Sequence, residues 1–528
     1  MFNKLYRLFN YLKLKTQKQL GGNAQNNIVE IPTSVDKVKE ILLNEFQDSS
    51  DFVYREITLG QNPGIKVLVA YIDGLIDKKM VSSQVFEPMA VEARIAGLEE
   101  NLNQSNILKC LKNKILSISE IKEINNFEKS IYSILSGDTV IYIDGINIAL
   151  RLGTRQWDSR EVTEPETESV VRGPREGFTE TLRTNTSLIR RKIKSTRLKM
   201  EVMVLGKESN TEVCLCYVKG LANEDIVKTA RRRLKRIEID AVFESGYIEE
   251  FIEDAPYSLF PTVGNSEKPD VVAGRLMEGR VAILCDGTPF ALTVPRLFIE
   301  NIQSSEDYYA RPLFATTARI LRTLAFIMTI TLPAIYVALV NFHQDVIPMK
   351  LLLTIAASRE GIPFSAFMEA LLMGITFEML REAGVRMPRP IGQAVSIVGA
   401  LVLGEAAVRA GIASNPVIMV TAITAISSFM IPSLRGALPI IRIILLIAAN
   451  ILGLMGIFLV VIAFIVHLCR LRSFGVSYLA PFSPLSGDDL KDTFIRLPIW
   501  AMWKRPRSVI KDREERYRMK VDIRTRED

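Results

Sequence analysis

The residues that could do covalent or metal chemistry are few and scattered. The chain has two histidines, His343 and His467, both beside apolar segments. Its five cysteines, Cys110, Cys214, Cys216, Cys285 and Cys469, form no CxxC pair and no Cys/His cluster. That spacing supports neither a disulfide framework nor a structural zinc site, and it leaves almost nothing for a histidine base. No P-loop, GxGxxG fingerprint or GxSxG elbow occurs, so no phosphate cradle or nucleophile is visible. An enzyme is not expected, nor a cofactor. Cys214 and Cys216 fall at i and i+2 on one strand face, where free cysteine packs as a small apolar residue. Asp73-Gly74, Asp144-Gly145 and Asp286-Gly287 could each seat a metal or a catalytic carboxylate, but a type I′ turn accounts for all three.

The remaining chemistry is ionic and sits in apolar surroundings. Glu369 and Glu378 interrupt an apolar helical pattern. Nine residues is about 2.5 turns, so they point to opposite faces, and Glu369 is the deeper of the two. Further on, the stretch 390–407 is rich in Gly, Ala and Ser, including Ser396, Gly399 and Gly404, with Leu403 among them. Small residues let membrane helices approach closely and leave room for water around an axis. Glu405 and Arg409, at i and i+4, either neutralise each other near the end of a span or mark a pore mouth, since ionised groups seldom persist in a membrane without a partner or a task. Ser396, Gly399, Leu403, Gly404, Glu405, Arg409 and Glu369 are the candidate pore-lining or gating residues.

The elements that must hold these residues follow from a split composition. The 528 residues carry 66 Lys+Arg and 59 Asp+Glu, a net charge of +7. From Ile391 to Cys469 the only charges are Glu405, Arg409, Arg435 and Arg442, whereas charges are dense before residue 310. The chain is thus neither wholly soluble nor wholly membrane-embedded. Thr323–Phe342 is uncharged, with Pro333 mid-run; twenty residues rise ~30 Å, the thickness of a bilayer core. Residues 410–434 give another uncharged run. Ile443–Leu468, with Gly453 and Gly456, is one long span or a tight hairpin. Residues 349–380 are ambiguous. Arg311, Arg319 and Arg322 precede the first apolar run, and Arg470 and Arg472 follow the last, so both ends read as cytoplasmic. Four full crossings are expected, with one apolar stretch re-entrant or interfacial. The N-terminus is basic and amphipathic without the apolar core of a signal peptide. The run Arg231–Arg236 continues a helix and reads as a solvated or membrane-facing surface, so no nucleic-acid partner is expected.

The soluble half repeats itself. Val67–Leu75 resembles Val213–Leu221 at an offset of 146, and Thr139–Leu150 resembles Val281–Leu292 at an offset of 142. Each copy reads as an apolar strand, helical patterns, then a strand, Asp-Gly, strand hairpin. The fold class expected is an α+β cytoplasmic domain of two related α/β subdomains, followed by an α-helical transmembrane domain. The divisions are a basic amphipathic N-terminus at 1–30, a first subdomain at 31–150, a polar linker at 151–200, a second subdomain at 201–310, a helical membrane domain at 311–470 and a basic tail at 471–528. Arg172, Arg175, Phe178 and Arg183 are the docking residues of that linker, a length that implies either disorder or a specific docking task.

The segments 171–180, Leu182-Arg-Thr-Asn-Thr186, Arg190-Arg191, Phe260-Pro-Thr262, 272–280, Asp307-Tyr-Tyr309, Arg381-Glu-Ala-Gly384 and 390–404 appear together and in order. In these the chain resembles the A subunit of the GerA family of spore germinant receptors, over ~50 to ~500. The resemblance implies a multi-pass protein of the spore inner membrane, with its N-terminal domain and C-terminal tail in the cytoplasm. It implies a permease-like B subunit and a lipoprotein C subunit as partners, beside the lipid bilayer. It also implies a homo-oligomer, a pentamer, forming a nutrient-gated cation channel. A stage V sporulation paralogue shares these motifs and is the alternative within the resemblance. A secondary transporter and a membrane scaffold are the alternatives outside it, although no inverted repeat supports the former.

Overall fold

The protein is described from a computed structural model, which covers residues 29–59, 64–92, 104–156, 168, 172–387, 402–487, 489–502, 505–506 and 508–510. The chain divides into two compact units, Met1–Glu45 with Phe52–Gln156, and Phe46–Asp51 with Trp157–Asp528.

The first unit contains α1 (Val35–Glu45), β1 (Phe52–Leu59), β2 (Ile65–Ile72), β3 (Ile121–Ile124), α2 (Phe127–Leu135), β4 (Thr139–Ile143) and β5 (Ala149–Leu152). Its sheet has the order β1-β2-β4-β5-β3, antiparallel throughout. The second unit opens with α3 (Leu182–Lys192), β6 (Leu198–Leu205) and β7 (Thr211–Val218), then α4 (Glu224–Lys235), α5 (Ser245–Ile252) and β8 (Gly264–Ser266). It continues with α6 (Pro269–Met277), β9 (Val281–Cys285) and β10 (Ala291–Val294). The sheet order β6-β7-β9-β10-β8 is the same permutation. Val67 pairs with Ile143 in one copy and Val213 with Cys285 in the other, so the sequence repeat is a structural one.

β7 reads as an unbroken apolar run because both its faces are covered. Val213, Leu215 and Tyr217 pack with Ile226, Leu234 and Ile248 of α4 and α5. Cys214, Cys216 and Val218 pack with Leu188, Ile189 and Leu276 of α3 and α6. The two cysteines are fully buried core residues, with sulfurs 3.6 Å apart.

The Asp-Gly hairpins differ from expectation. Five residues, 144–148 and 286–290, separate the paired strands, and only the glycines have positive φ (83° at Gly145, 87° at Gly287). A type I′ turn needs positive φ at both central residues. The aspartates serve helices instead. Asp144 Oδ1 accepts from the Val35 amide that starts α1, at 3.0 Å, and Asp286 Oδ1 accepts from the Leu182 amide that starts α3, at 2.8 Å. A carboxylate there satisfies an orphan N–H and faces the positive end of the helix.

This symmetry makes α3 the counterpart of α1. The stretch from 178 to 200, read from its polarity as linker, is therefore the first part of the second α/β copy. Phe178, Leu182, Leu188 and Ile189 are all in its core. The polar residues of α3 are buried with partners. The Asn185 side chain accepts from the Thr179 amide and donates to its carbonyl. Arg190, with no exposure, makes a two-pronged pair with Asp51 at 2.8 Å and donates to the carbonyls of Ser195 and Leu198. In the basic run of α4, Arg231 pairs with Glu201, and Arg233 pairs with Asp254 and lies 4.4 Å from the Phe474 ring.

The helical part contains α7 (Pro312–Phe342), α8 (Met349–Arg359), α9 (Ala366–Arg386), a helix at 402–409, α10 (Asn415–Phe429) and α11 (Ala437–Arg470). Among the described residues, α7 and α11 are long and apolar enough to cross a membrane. α11 folds back at Gly453, whose φ is 62° and ψ −140°. The turn just before α11 and the last turns of α11 meet the same α/β subdomain, through Ser433 on the Asn301 carbonyl and His467 on Ser258. A Cβ at Gly453 would lie 2.8 Å from the His343 ring, so glycine is required for both the angle and the space. Of the two sequence readings of 443–468, the hairpin is the one adopted.

Candidate functional site

Among the described residues, the ion pairs of the helical bundle divide into inward-facing ones and two exposed ones, Glu382–Arg386 at the end of α9 and Glu405–Arg409. Glu369, in the first turn of α9, has no exposure. Its Oε1 accepts from Arg359 Nε at 3.1 Å, and its Oε2 accepts from the Ser414 amide at 2.8 Å and the Ser414 hydroxyl at 2.7 Å. Ser414 is the N-cap of α10, so one carboxylate joins α8, α9 and α10 and faces the positive end of α10. Glu378 points the other way, as nine residues of helix require, and pairs with Arg442 of α11 at 2.8 Å and Arg381 at 2.6 Å. Beside it lies an apolar cavity of about 250 Å³, lined by Pro333, Gly374, Thr421, Thr424, Ile443 and Leu446 among others.

Glu405 and Arg409 do pair, at 2.5 Å, but both side chains remain exposed, at 58% and 77%. Leu403 is exposed and Gly404 buried, with the Ile418 side chain 3.6 Å from where a Cβ would stand. Ser396 and Gly399 lie outside the described residues. The structure brings Glu369 and Gly404 to the start of α10, at Ser414 and Ile418 respectively. Of the residues read as a docking linker, Phe178 is in the core of the second α/β copy and Arg183 is half-buried on α3, while Arg172 and Arg175 precede that copy and are exposed.

A second cluster fastens the α/β part of this unit to the start of α7. Asp307, 2% exposed, accepts two bonds from Arg322, at 2.8 and 2.9 Å, and one from Arg319 at 2.9 Å. Arg319 Nη1 also reaches Asp492 Oδ1 at 2.8 Å and the Thr493 carbonyl at 2.9 Å, gripping the segment after the last helix. Burial alone would raise the Asp307 pKa, but the hydrogen bonds and charge of Arg322, then Arg319, hold it below the usual aspartate value. Burial and the nearby Asp492 carboxylate push the Tyr308 hydroxyl well above its usual range. It therefore stays protonated and donates to Asp492 Oδ2 at 2.8 Å. The arrangement ties the α/β subdomain, the start of α7 and the segment after the last helix into one hydrogen-bonded unit.

Residues 40–508 match the family model described as Bacillus/Clostridium GerA spore germination protein. The chain belongs to the GerA family. It is 44% identical over 470 residues to spore germination protein KA of Bacillus subtilis (strain 168), covering 89% of this chain and 85% of that protein. It is 39% identical over 490 residues to spore germination protein GerLA of Bacillus cereus, covering 92% and 96%. The N-terminal domain of the A subunit of the Bacillus megaterium spore germinant receptor GerK3 is a similar solved structure, 33% identical, with a TM-score of 0.41 over 52% of this chain and 99% of that one.

Membership of the GerA family gives the chain a role in spore germination. The Asp307–Arg319–Arg322–Asp492 cluster was not identified from the sequence. Asp307-Tyr-Tyr309 stood out only as a family motif, and the two arginines only as charges flanking a span. Nothing in the sequence connects them with Asp492, far along the chain.

Proposed function

We propose that this GerA-family chain is the A subunit of a spore germinant receptor. In this reading several copies surround an axis and form a nutrient-gated cation channel in the inner membrane of the spore. A permease-like B subunit and a lipoprotein C subunit are its partners, and transport rather than catalysis is its work. The observation that carries the reading is the contrast between the ion pairs. Glu369, Glu378 and Arg442 are paired inside the bundle, whereas the Glu405–Arg409 pair stays exposed, as Glu382–Arg386 does at the end of α9, and it directly follows the small-residue stretch in sequence. An exposed charged face among apolar helices needs water or another copy of the chain against it. Carboxylate rings can supply cation selectivity, and here each Glu405 is balanced by its own Arg409, so the pair marks a water-facing level of the helix and carries no net charge.

Helix directions support a multi-pass bundle. α7 leaves the α/β side and ends at the Gly453 turn, α9 and α10 return towards that side, and α11 goes out and back. The 402–409 helix ends where α10 begins, its eight residues rise about 12 Å, and the residues before it lie outside the described ones, so the four full crossings expected from the sequence are retained here as the proposal. An even number keeps both ends of the chain on one side.

The test is cysteine accessibility. Single cysteines at Ser396, Gly399, Leu403, Gly404 and Ala407, in a cysteine-free background, are exposed to a charged thiol reagent with the receptor activated. Periodic labelling along this stretch is expected. No reaction at any of them would remove it from the pore.

A further inference from the structure

We propose that the segment 494–500, together with the first turns of α7, is a membrane-interface anchor seated in the headgroup layer on the α/β side of the bilayer. This rests on the reading of α7 as a spanning helix. The argument begins with length. The 31 residues of Pro312–Phe342 rise about 46 Å, against about 30 Å for a hydrocarbon core. The far end is fixed, because Phe342 meets the turn at Gly453. The excess therefore falls on residues 312–322, at the depth of the headgroups. There α7 turns Arg319 inward to Asp307 while Leu313 and Phe314 stand 85% and 64% exposed.

The segment after the last helix is clamped at this level. The Arg496 amide donates to Thr316 Oγ1 at 3.1 Å, Arg496 Nη2 donates to the Tyr308 carbonyl at 3.2 Å, and Arg319 holds the Thr493 carbonyl. Its polar groups are thus used inward. Its large apolar side chains face out: Ile495 is 56% exposed, Ile499 55% and Trp500 53%. Three such side chains held outward by a buried arginine are costly in water, at about 25 cal/mol per Å² of apolar surface. In the headgroup layer that cost disappears, and tryptophan is the residue most at home there. The apolar surface also continues along α7 through Leu324 and Ile327, the face this reading gives to lipid. That continuity selects lipid as the occupant.

Trp500 is its own reporter. The full-length chain with Trp157→Phe and Trp503→Phe, which keeps Trp500 as its one tryptophan, is reconstituted in phosphatidylcholine–phosphatidylglycerol vesicles. Lipids brominated near the headgroup end or deep in the acyl chain are then introduced. The expected result is loss of most Trp500 emission with shallow bromines and a smaller loss with deep ones, with little quenching by aqueous iodide. Strong iodide quenching without bromine quenching would put Trp500 in water and overturn the proposal. Protection from both would put it against protein, a second copy included, and would overturn it equally. A chain whose only tryptophan is Ile327→Trp separates the premises. If deep bromines quench that position while Trp500 is unaffected, α7 spans and the anchor alone fails.

Discussion

Replacing Arg319 tests whether the cluster at the start of α7 is the structural link it resembles. The guanidinium, without exposure, donates to Asp307, to Asp492 and to the carbonyls of Asp492 and Thr493. Hydrogen bonds of charged groups contribute about 1.5–3 kcal/mol each, and breaking a buried ion pair costs about 3–5 kcal/mol. Arg322 still holds Asp307 with two bonds, and the Asp492 side chain keeps 26% exposure and the Tyr308 hydroxyl. Arg319→Met should therefore cost about 3 kcal/mol, the lower end of that range. Arg319→Lys should recover only part of it, because an ammonium cannot serve two carboxylates and two carbonyls with a rigid fork. The assay is denaturant unfolding of the detergent-solubilised chain, with Asp307→Asn and the double variant completing a cycle. A coupling of at least about 1 kcal/mol between Arg319 and Asp307 is expected for groups in direct contact. Single variants that each cost less than about 0.5 kcal/mol and add without coupling would refute the reasoning. The Asp307 pKa is lowered in the folded protein, so its contribution is present above the usual aspartate value and is lost as pH falls through the folded value. An acid-side loss of stability should accordingly be smaller in Asp307→Asn.

Further outcomes follow from the same structure. Burial, then the neighbouring Glu253 carboxylate, raises Glu249 to a pKa of about 7. Its folded form holds a proton that the unfolded chain releases near 4.5, so stability should fall between those pH values and level off above. Glu249→Gln should flatten that slope in a pH series of unfolding curves, by at most about 3 kcal/mol given the residual solvent contact. Asp144→Ala and Asp286→Ala each remove a carboxylate from a helix N-terminus and should each cost about 1 kcal/mol, whereas type I′ turns without the capping bond would predict no such loss. In detergent, Glu369→Ala should destabilise the bundle by about 3–5 kcal/mol by stranding Arg359 and Ser414. Glu405→Ala, at an exposed pair, should stay within about 0.5 kcal/mol in the same thermal unfolding series.

The α/β half was legible where burial governs pattern. β2, β4, β7 and β9 are apolar runs covered on both faces, so their repetition survives in the sequence. α3 was missed because its buried face carries Asn185, Ser187 and Arg190, and polarity suggested solvent where hydrogen bonds replaced it. The Asp-Gly pairs were visible, but their partners, Val35 and Leu182, lie more than a hundred residues away, beyond any local turn rule. The short edge strands β3 and β8 were absorbed into helical or loop readings, having too few residues to alternate. In the bundle, the opposition of Glu369 and Glu378 followed from helical periodicity alone. Their partners Arg359, Ser414 and Arg442 are tertiary, and hydropathy could not separate one long α11 from the hairpin that Gly453 produces.

The central claim is that this chain conducts cations when its receptor is engaged. The most direct measurement is potassium release from vesicles containing the chain together with the permease-like and lipoprotein subunits proposed as its partners, before and after nutrient addition. The account predicts nutrient-dependent release of potassium but not chloride, abolished by Gly404→Trp, which would force α10 and the 402–409 helix apart. Partners that bind nutrient while the vesicles stay sealed to potassium would contradict it.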